Sequence, residues 1–129
     1  MARAASRARP TARSVAALQA GYFLATGVAP FLSRRAFEAV TGPKLEWWLV
    51  LTVGTQVSAV GAALGRAAAH DRVTGELRLL GIAAATGLGA IDVVYVARRR
   101  ISPVYLADAV VEAALIGAWL GCRPAGAEA

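Results

Sequence analysis

Four long apolar segments constrain this chain more than any other feature of its sequence. They cover residues 15–32, 47–64, 77–97 and 103–122. Each contains about 18–21 residues, enough for an α-helix rising 1.5 Å per residue to cross a hydrocarbon core of about 30 Å. None alternates apolar and polar residues with a period of two, which argues against a transmembrane β-barrel. Because helices satisfy their own backbone hydrogen bonds in lipid, the sequence predicts a helical membrane protein.

The predicted fold is all-α, an integral membrane four-helix transmembrane bundle formed by residues 14–122. Composition supports it, since 57% of the residues are hydrophobic and only 17% are charged. A soluble domain of 129 residues has a large surface to cover with polar groups. Outside the bundle, residues 1–13 are predicted to be a disordered basic arm, and residues 123–129 a short tail.

A signal peptide is the competing interpretation of the amino-terminal region, because basic residues precede an apolar segment. That segment is long for a signal peptide, and Pro30 follows Ala29 where a cleavage site would be sought. We therefore expect a retained first spanning helix.

The first connection carries signals for a short helix at the membrane interface. Serine commonly caps helices, and Ser33 directly precedes residues 34–40. Gly42 and Pro43, which follow this segment, are residue types that end a helix. This segment is predicted to be a brief amphipathic helix lying at the interface.

The other two connections differ in length. Residues 65–76 are polar and contain His70, which we expect to be solvated. Residues 98–102 allow only a tight return, so the third and fourth helices must be antiparallel neighbours.

The net charge of +6 comes mainly from Arg and Lys residues placed just outside the apolar segments. Cations in this position indicate membrane topology and contacts with anionic headgroups, and we do not predict a nucleic-acid partner. If the chain crosses the membrane four times, eight Lys and Arg residues lie on the side of the two termini and six lie on the opposite side. The excess predicts a multi-pass protein of the cell membrane with both termini in the cytoplasm.

Metal and redox chemistry have few candidate residues. Cys122 is the single cysteine and His70 the single histidine. An internal disulfide is therefore excluded, and four nitrogen or sulfur ligands for a structural zinc are not available within one chain. We predict no cofactor and no metal.

The second apolar segment carries a stripe of small residues, Gly54, Ser58, Gly61 and Gly65. Their spacing places them on one helix face, where small residues let two helix backbones approach closely in lipid. We expect this stripe to be a packing face.

Three acids inside the apolar segments, Asp92, Asp108 and Glu112, are the main candidates for a functional site. A carboxylate at the bilayer centre costs about 2.5–3.5 kcal/mol on insertion scales. Asp92 and Asp108 flank the tight return at similar distances, so both are expected about 7–8 Å inside one membrane surface. Glu112 lies one turn deeper.

The acids of the fourth segment share a helix face that is predicted to point into the bundle. That face consists of Tyr105, Asp108, Glu112, Leu115 and Trp119. Further candidates for ligand binding or proton relay are Tyr95, Lys44 and Gln56, although Gln56 faces away from the glycine stripe. The structural alternative is that Asp92 and Asp108 pair with cations reaching back from the interface, namely Arg35, Lys44 or residues 98–100.

Two strings resemble a group of small bacterial membrane proteins with four predicted spans. They are AFEAVTGPKLEWWLVLTVG, residues 36–54, and DVVYVARRRISPVYLADAVVE, residues 92–112. The layout is also similar to the broader DoxX-like group of four-helix membrane proteins. The resemblance implies the four-helix architecture, and it brings no established catalytic residue.

These features predict a small multi-pass protein with an acidic intramembrane pocket that binds a small molecule, a lipid-like ligand or a cation. One alternative is a proton-coupled, transporter-like protein acting as a homo-oligomer. A second is a membrane enzyme acting on a lipid or isoprenoid, with Asp or Glu as acid–base groups, although enzyme activity is the less favoured interpretation. A third is a structural subunit of a membrane complex.

Overall fold

The computed structural model describes residues 9–122, and within that range the chain is all-helical. The helices are α1 (Ala12–Leu32), α2 (Arg34–Thr41), α3 (Trp47–Ala69), α4 (Gly75–Ala97) and α5 (Tyr105–Gly121). Helices α1, α3 and α4 are long and apolar enough to cross a membrane, whereas α5 is shorter, with 17 residues. The predicted all-α class is therefore confirmed for the described residues, and the three long apolar helices support the predicted membrane character of the chain.

The long helices associate as two pairs. α1 lies along α3 and α4 lies along α5, while contacts between the pairs are fewer. Two buried apolar clusters connect the pairs. One contains Val15, Leu64 and Trp119, and the other contains Phe23 and Leu115 with neighbouring residues. The polar site described below lies beside the second cluster.

Close backbone approach at small residues joins α1 to α3. A Cβ atom added to Gly54 would stand 2.6 Å from the carbonyl oxygen of Gly27, and one added to Gly27 would stand 2.9 Å from that of Gly54. Gly61 and Gly65 face α1 in the same way, with nearest contacts of 3.1 and 3.4 Å. The predicted packing role of the glycine stripe is confirmed.

The helix ends at the second connection differ from the prediction. α3 continues to Ala69, beyond the expected end at residue 64, and α4 begins at Gly75 instead of residue 77. Ala67 and Ala68 are buried in the apolar core. Alanine has the highest helix propensity, so burial and propensity together extend α3 into the segment that its polar neighbours marked as a connection.

The predicted amino-terminal arm, residues 1–13, also overlaps the start of the first helix. α1 begins at Ala12, because the hydroxyl of Thr11 accepts a hydrogen bond from the backbone N–H of Ser14 at 3.1 Å and caps the helix. The rest of the predicted arm, residues 1–8, and the predicted tail, residues 123–129, lie outside the described residues.

The predicted short helix is present as α2. The hydroxyl of Ser33 caps it by accepting from the backbone N–H of Ala36 at 3.1 Å, and it ends at Gly42, whose φ of 89° favours glycine. The backbone N–H of Lys44 and the guanidinium of Arg34 both donate to the carboxylate of Glu38, at 3.1 Å each. These bonds favour the charged form and lower the pKa of Glu38.

Candidate functional site

The structure brings the three predicted acids together on the inner side of α4 and α5. Asp92 is 5% exposed, Glu112 is 1% exposed and Asp108 is half-buried. Asp92, Asp108 and Glu112 are close enough to interact electrostatically with one another. The tight return at the end of α4 therefore places the acids as the sequence predicts.

Tyr22 on α1 completes this group, because its hydroxyl donates a hydrogen bond to Oδ1 of Asp108. We call Tyr22, Asp92, Asp108 and Glu112 the acidic cluster. Sequence reasoning missed Tyr22. Its one signal was a phenol hydroxyl in the middle of an apolar segment, and no local pattern indicates which face of α1 meets α5.

No cation pairs with the acidic cluster within residues 9–122, where the only ion pair is Arg34–Glu38. Lys44 donates to the backbone carbonyls of Thr41 and Gly42, at 2.7 and 3.0 Å. These carbonyls hold the ammonium group within its own loop. Among the described residues, therefore, interfacial cations do not neutralise Asp92 and Asp108, as the structural alternative required.

Two carboxyl oxygens of the cluster are buried without a hydrogen-bond partner. They are Oδ2 of Asp92 and Oε2 of Glu112. Leaving a buried acceptor unsatisfied costs about 1–3 kcal/mol, so native structures rarely tolerate it. A proton shared between carboxyl groups, or a donor group from a ligand, would satisfy these oxygens. Among the described residues, no group of three or more His, Cys, Asp or Glu side chains is placed to hold a metal ion.

An apolar groove of about 420 Å³ runs along α4 and α5 beside the cluster. Small residues leave space for the groove, among them Gly89, Ala90 and Ala113. Glu112 forms part of its wall. A Cβ atom on Gly89 would stand 3.3 Å from Cβ of Glu112, so the missing side chain lets α4 approach α5 at this acid. The groove and the acidic cluster therefore share Glu112.

Three other predicted site residues lie outside the cluster. Tyr95 is 41% exposed and lies beneath the guanidinium of Arg98, which is 6.0 Å from the ring centre. Gln56 is exposed on α3, because the small-residue stripe faces α1 and Gln56 lies on the opposite face of that helix. Tyr105 is half-buried at the start of α5, with the Lys44 ammonium 5.2 Å from its ring centre.

A second buried polar group ties α1 to α4 and α5. Gln19 is fully buried; its Nε2 donates to the carbonyl oxygen of Gly81 at 2.9 Å, and its Oε1 accepts from Nε1 of Trp119 at 2.6 Å. Trp119, Leu115 and Glu112 are all buried, which confirms the predicted inward face of α5. Sequence reasoning did not include Gln19 among the candidate site residues.

The chain was compared with protein-family models, curated proteins and solved structures, and none of them matches it. The similarity to DoxX-like proteins therefore stays a prediction. The site must be interpreted from its own geometry.

Proposed function

We propose that this chain is a four-span membrane protein whose acidic cluster forms an intramembrane pocket for a small molecule, a lipid-like ligand or a cation. The observation that carries the proposal is the pair of buried, unpartnered carboxyl oxygens on Asp92 and Glu112. Ionisable side chains within membrane-spanning helices are costly, and they commonly mark substrate or ion pathways.

The fourth span in this proposal is α5. Its 17 residues extend over about 26 Å, the lower end of what a hydrocarbon core requires. α5 also lies along α4, which is long and apolar enough to span. Four spans would put both termini on one side, and the Lys and Arg excess favours the cytoplasmic side.

Reporter fusions test this topology. We expect reporters fused to either terminus, and one inserted between residues 70 and 74, to be cytoplasmic, whereas one inserted between residues 99 and 102 is external. Paired fusions to a phosphatase and a fluorescent protein measure both outcomes. Termini on opposite sides of the membrane would mean that α5 does not cross it.

Native mass spectrometry of the protein extracted in a mild detergent tests the pocket. We expect the wild-type chain to retain a bound molecule that Glu112→Gln loses while keeping its helical content, because the amide preserves size but removes the carboxylate. Glu76→Gln is the matched control, since Glu76 is exposed in the first turn of α4. A bound molecule that persists unchanged in Glu112→Gln would contradict the proposed pocket.

A proton-coupled transporter is the second candidate, and the adjacent carboxyl groups of Asp92 and Asp108 favour it. Two neighbouring carboxyl groups interact favourably when one of them holds a proton. Vesicles containing the protein and a pH-sensitive dye would distinguish this function, since only a proton-coupled protein changes the internal pH during ligand movement.

A further inference from the structure

We infer that the ligand of this pocket is an amphipathic amine, with its ammonium group at the acidic cluster and its apolar chain in the groove between α4 and α5. The inference rests on the proposed function and names the chemical class of the ligand. It is carried by the charge of the cluster and by the position of Glu112 between cluster and groove.

Charge complementarity favours an ammonium group over a neutral head. Three carboxyl groups lie together, and no side-chain cation within residues 9–122 pairs with any of them. An ammonium group carries one positive charge and three donors, which matches the unpartnered oxygens of Asp92 and Glu112. Hydrogen bonds between charged partners are about twice as strong as those between neutral ones. A single hydroxyl group donates one bond and cannot satisfy both unpartnered oxygens.

The groove accounts for the apolar part of the ligand. Its volume of about 420 Å³ lies within the range of small-molecule sites, about 300–1,000 Å³. Alkyl side chains make up most of its wall, including Val93 and Ile116, and Ala90 and Ala113 are exposed on the outer face of the helices. An amphiphile dissolved in the bilayer can therefore reach the groove sideways from the lipid.

The test uses the full chain in nanodiscs of zwitterionic lipid, with dodecylamine and dodecan-1-ol as probes of equal chain length. We expect dodecylamine to raise the thermal unfolding midpoint of the wild type saturably, and dodecan-1-ol to have little effect. Glu112→Gln should weaken the apparent affinity for the amine at least tenfold. Ala113→Leu, which fills the groove without altering an acid, should weaken it as well, and Glu76→Gln should match the wild type.

Each other outcome overturns the inference in a recognisable way. Equal shifts of the unfolding midpoint with amine and alcohol would exclude an amine as the ligand class. The proposed pocket would still stand in that case if the wild type copurifies with a bound molecule that Glu112→Gln lacks. Equal amine responses in wild type and Glu112→Gln would mean partition into lipid only. No amine response, together with a dimer that Ala113→Leu dissociates, would make the groove an interface between copies. If Glu112→Gln does not fold, Asp92→Asn takes its place, since Asp92 bears the other unpartnered oxygen.

Discussion

Replacing Gln19 with leucine should lower the free energy of unfolding by about 2–4 kcal/mol, the largest effect we expect from a single side chain. The substitution removes the acceptor of Trp119 Nε1 and the donor to the Gly81 carbonyl. Gln19 is 0% exposed, so water cannot replace either partner. Each buried group left without a partner costs about 1–3 kcal/mol. Reversible unfolding in mixed micelles, followed by circular dichroism, measures the change.

A double-mutant cycle with Trp119→Phe isolates the hydrogen bond from the change in packing. Both single variants lose the same bond, so the double variant should be destabilised by about 1 kcal/mol less than the sum of the two. Gln56→Leu is the matched control, because that glutamine is exposed on α3, and it should change stability by less than about 0.5 kcal/mol. Strict additivity in the cycle would contradict the bond between Gln19 and Trp119.

Gly54→Ala is expected to destabilise the protein by about 1–3 kcal/mol, the cost of overpacking a close contact. The new methyl group would stand 2.6 Å from the carbonyl oxygen of Gly27 and 3.3 Å from the side chains of Pro30 and Phe31. Backbone atoms cannot rotate away as a flexible side chain can. α1 and α3 must therefore separate along their shared face, which thermal unfolding of the purified variant would detect.

Two other glycines provide controls for the same chemical change. Gly65 belongs to the same stripe, but its added Cβ would meet Cβ of Ala20 at an ordinary 3.4 Å, and Gly87 has nothing within 4 Å. Alanine at these positions should leave stability unchanged or raise it by about 0.5–1 kcal/mol, since alanine is the better helix former. If all three variants lost stability equally, the close contact at Gly54 would not be the cause.

Gln19 and Tyr22 have a consequence for the proposed pocket. Both lie on α1 and form hydrogen bonds that join the α1–α3 pair to α5, at Trp119 and Asp108 respectively. The acidic cluster therefore lies between the two helix pairs and contains one of their connections. A ligand that competes for Asp108 would loosen that connection and leave the one at Gln19 intact.

Local patterns in the sequence determined the helical class, the apolar helices, the cap at Ser33 and the inward face of α5. Each depends on residues within a few helical turns, because hydrophobic periodicity and capping are properties of neighbours along the chain. The short return after α4 adds the approach of Asp92 to Asp108. For the same reason the packing role of the glycine stripe on α3 was predictable, since its spacing alone places it on one face.

The tertiary structure decided which side chains from other helices complete the site. Tyr22 and Gln19 contact α5 because of how α1 crosses it, and no spacing within α1 specifies that crossing. Lys44 was expected near the acids, but the carbonyl oxygens of Thr41 and Gly42 hold it in its own loop. The extension of α3 through Ala67 likewise depends on burial against other helices. Contacts between helices follow from the relative positions of several segments, and the sequence of any one segment does not contain them.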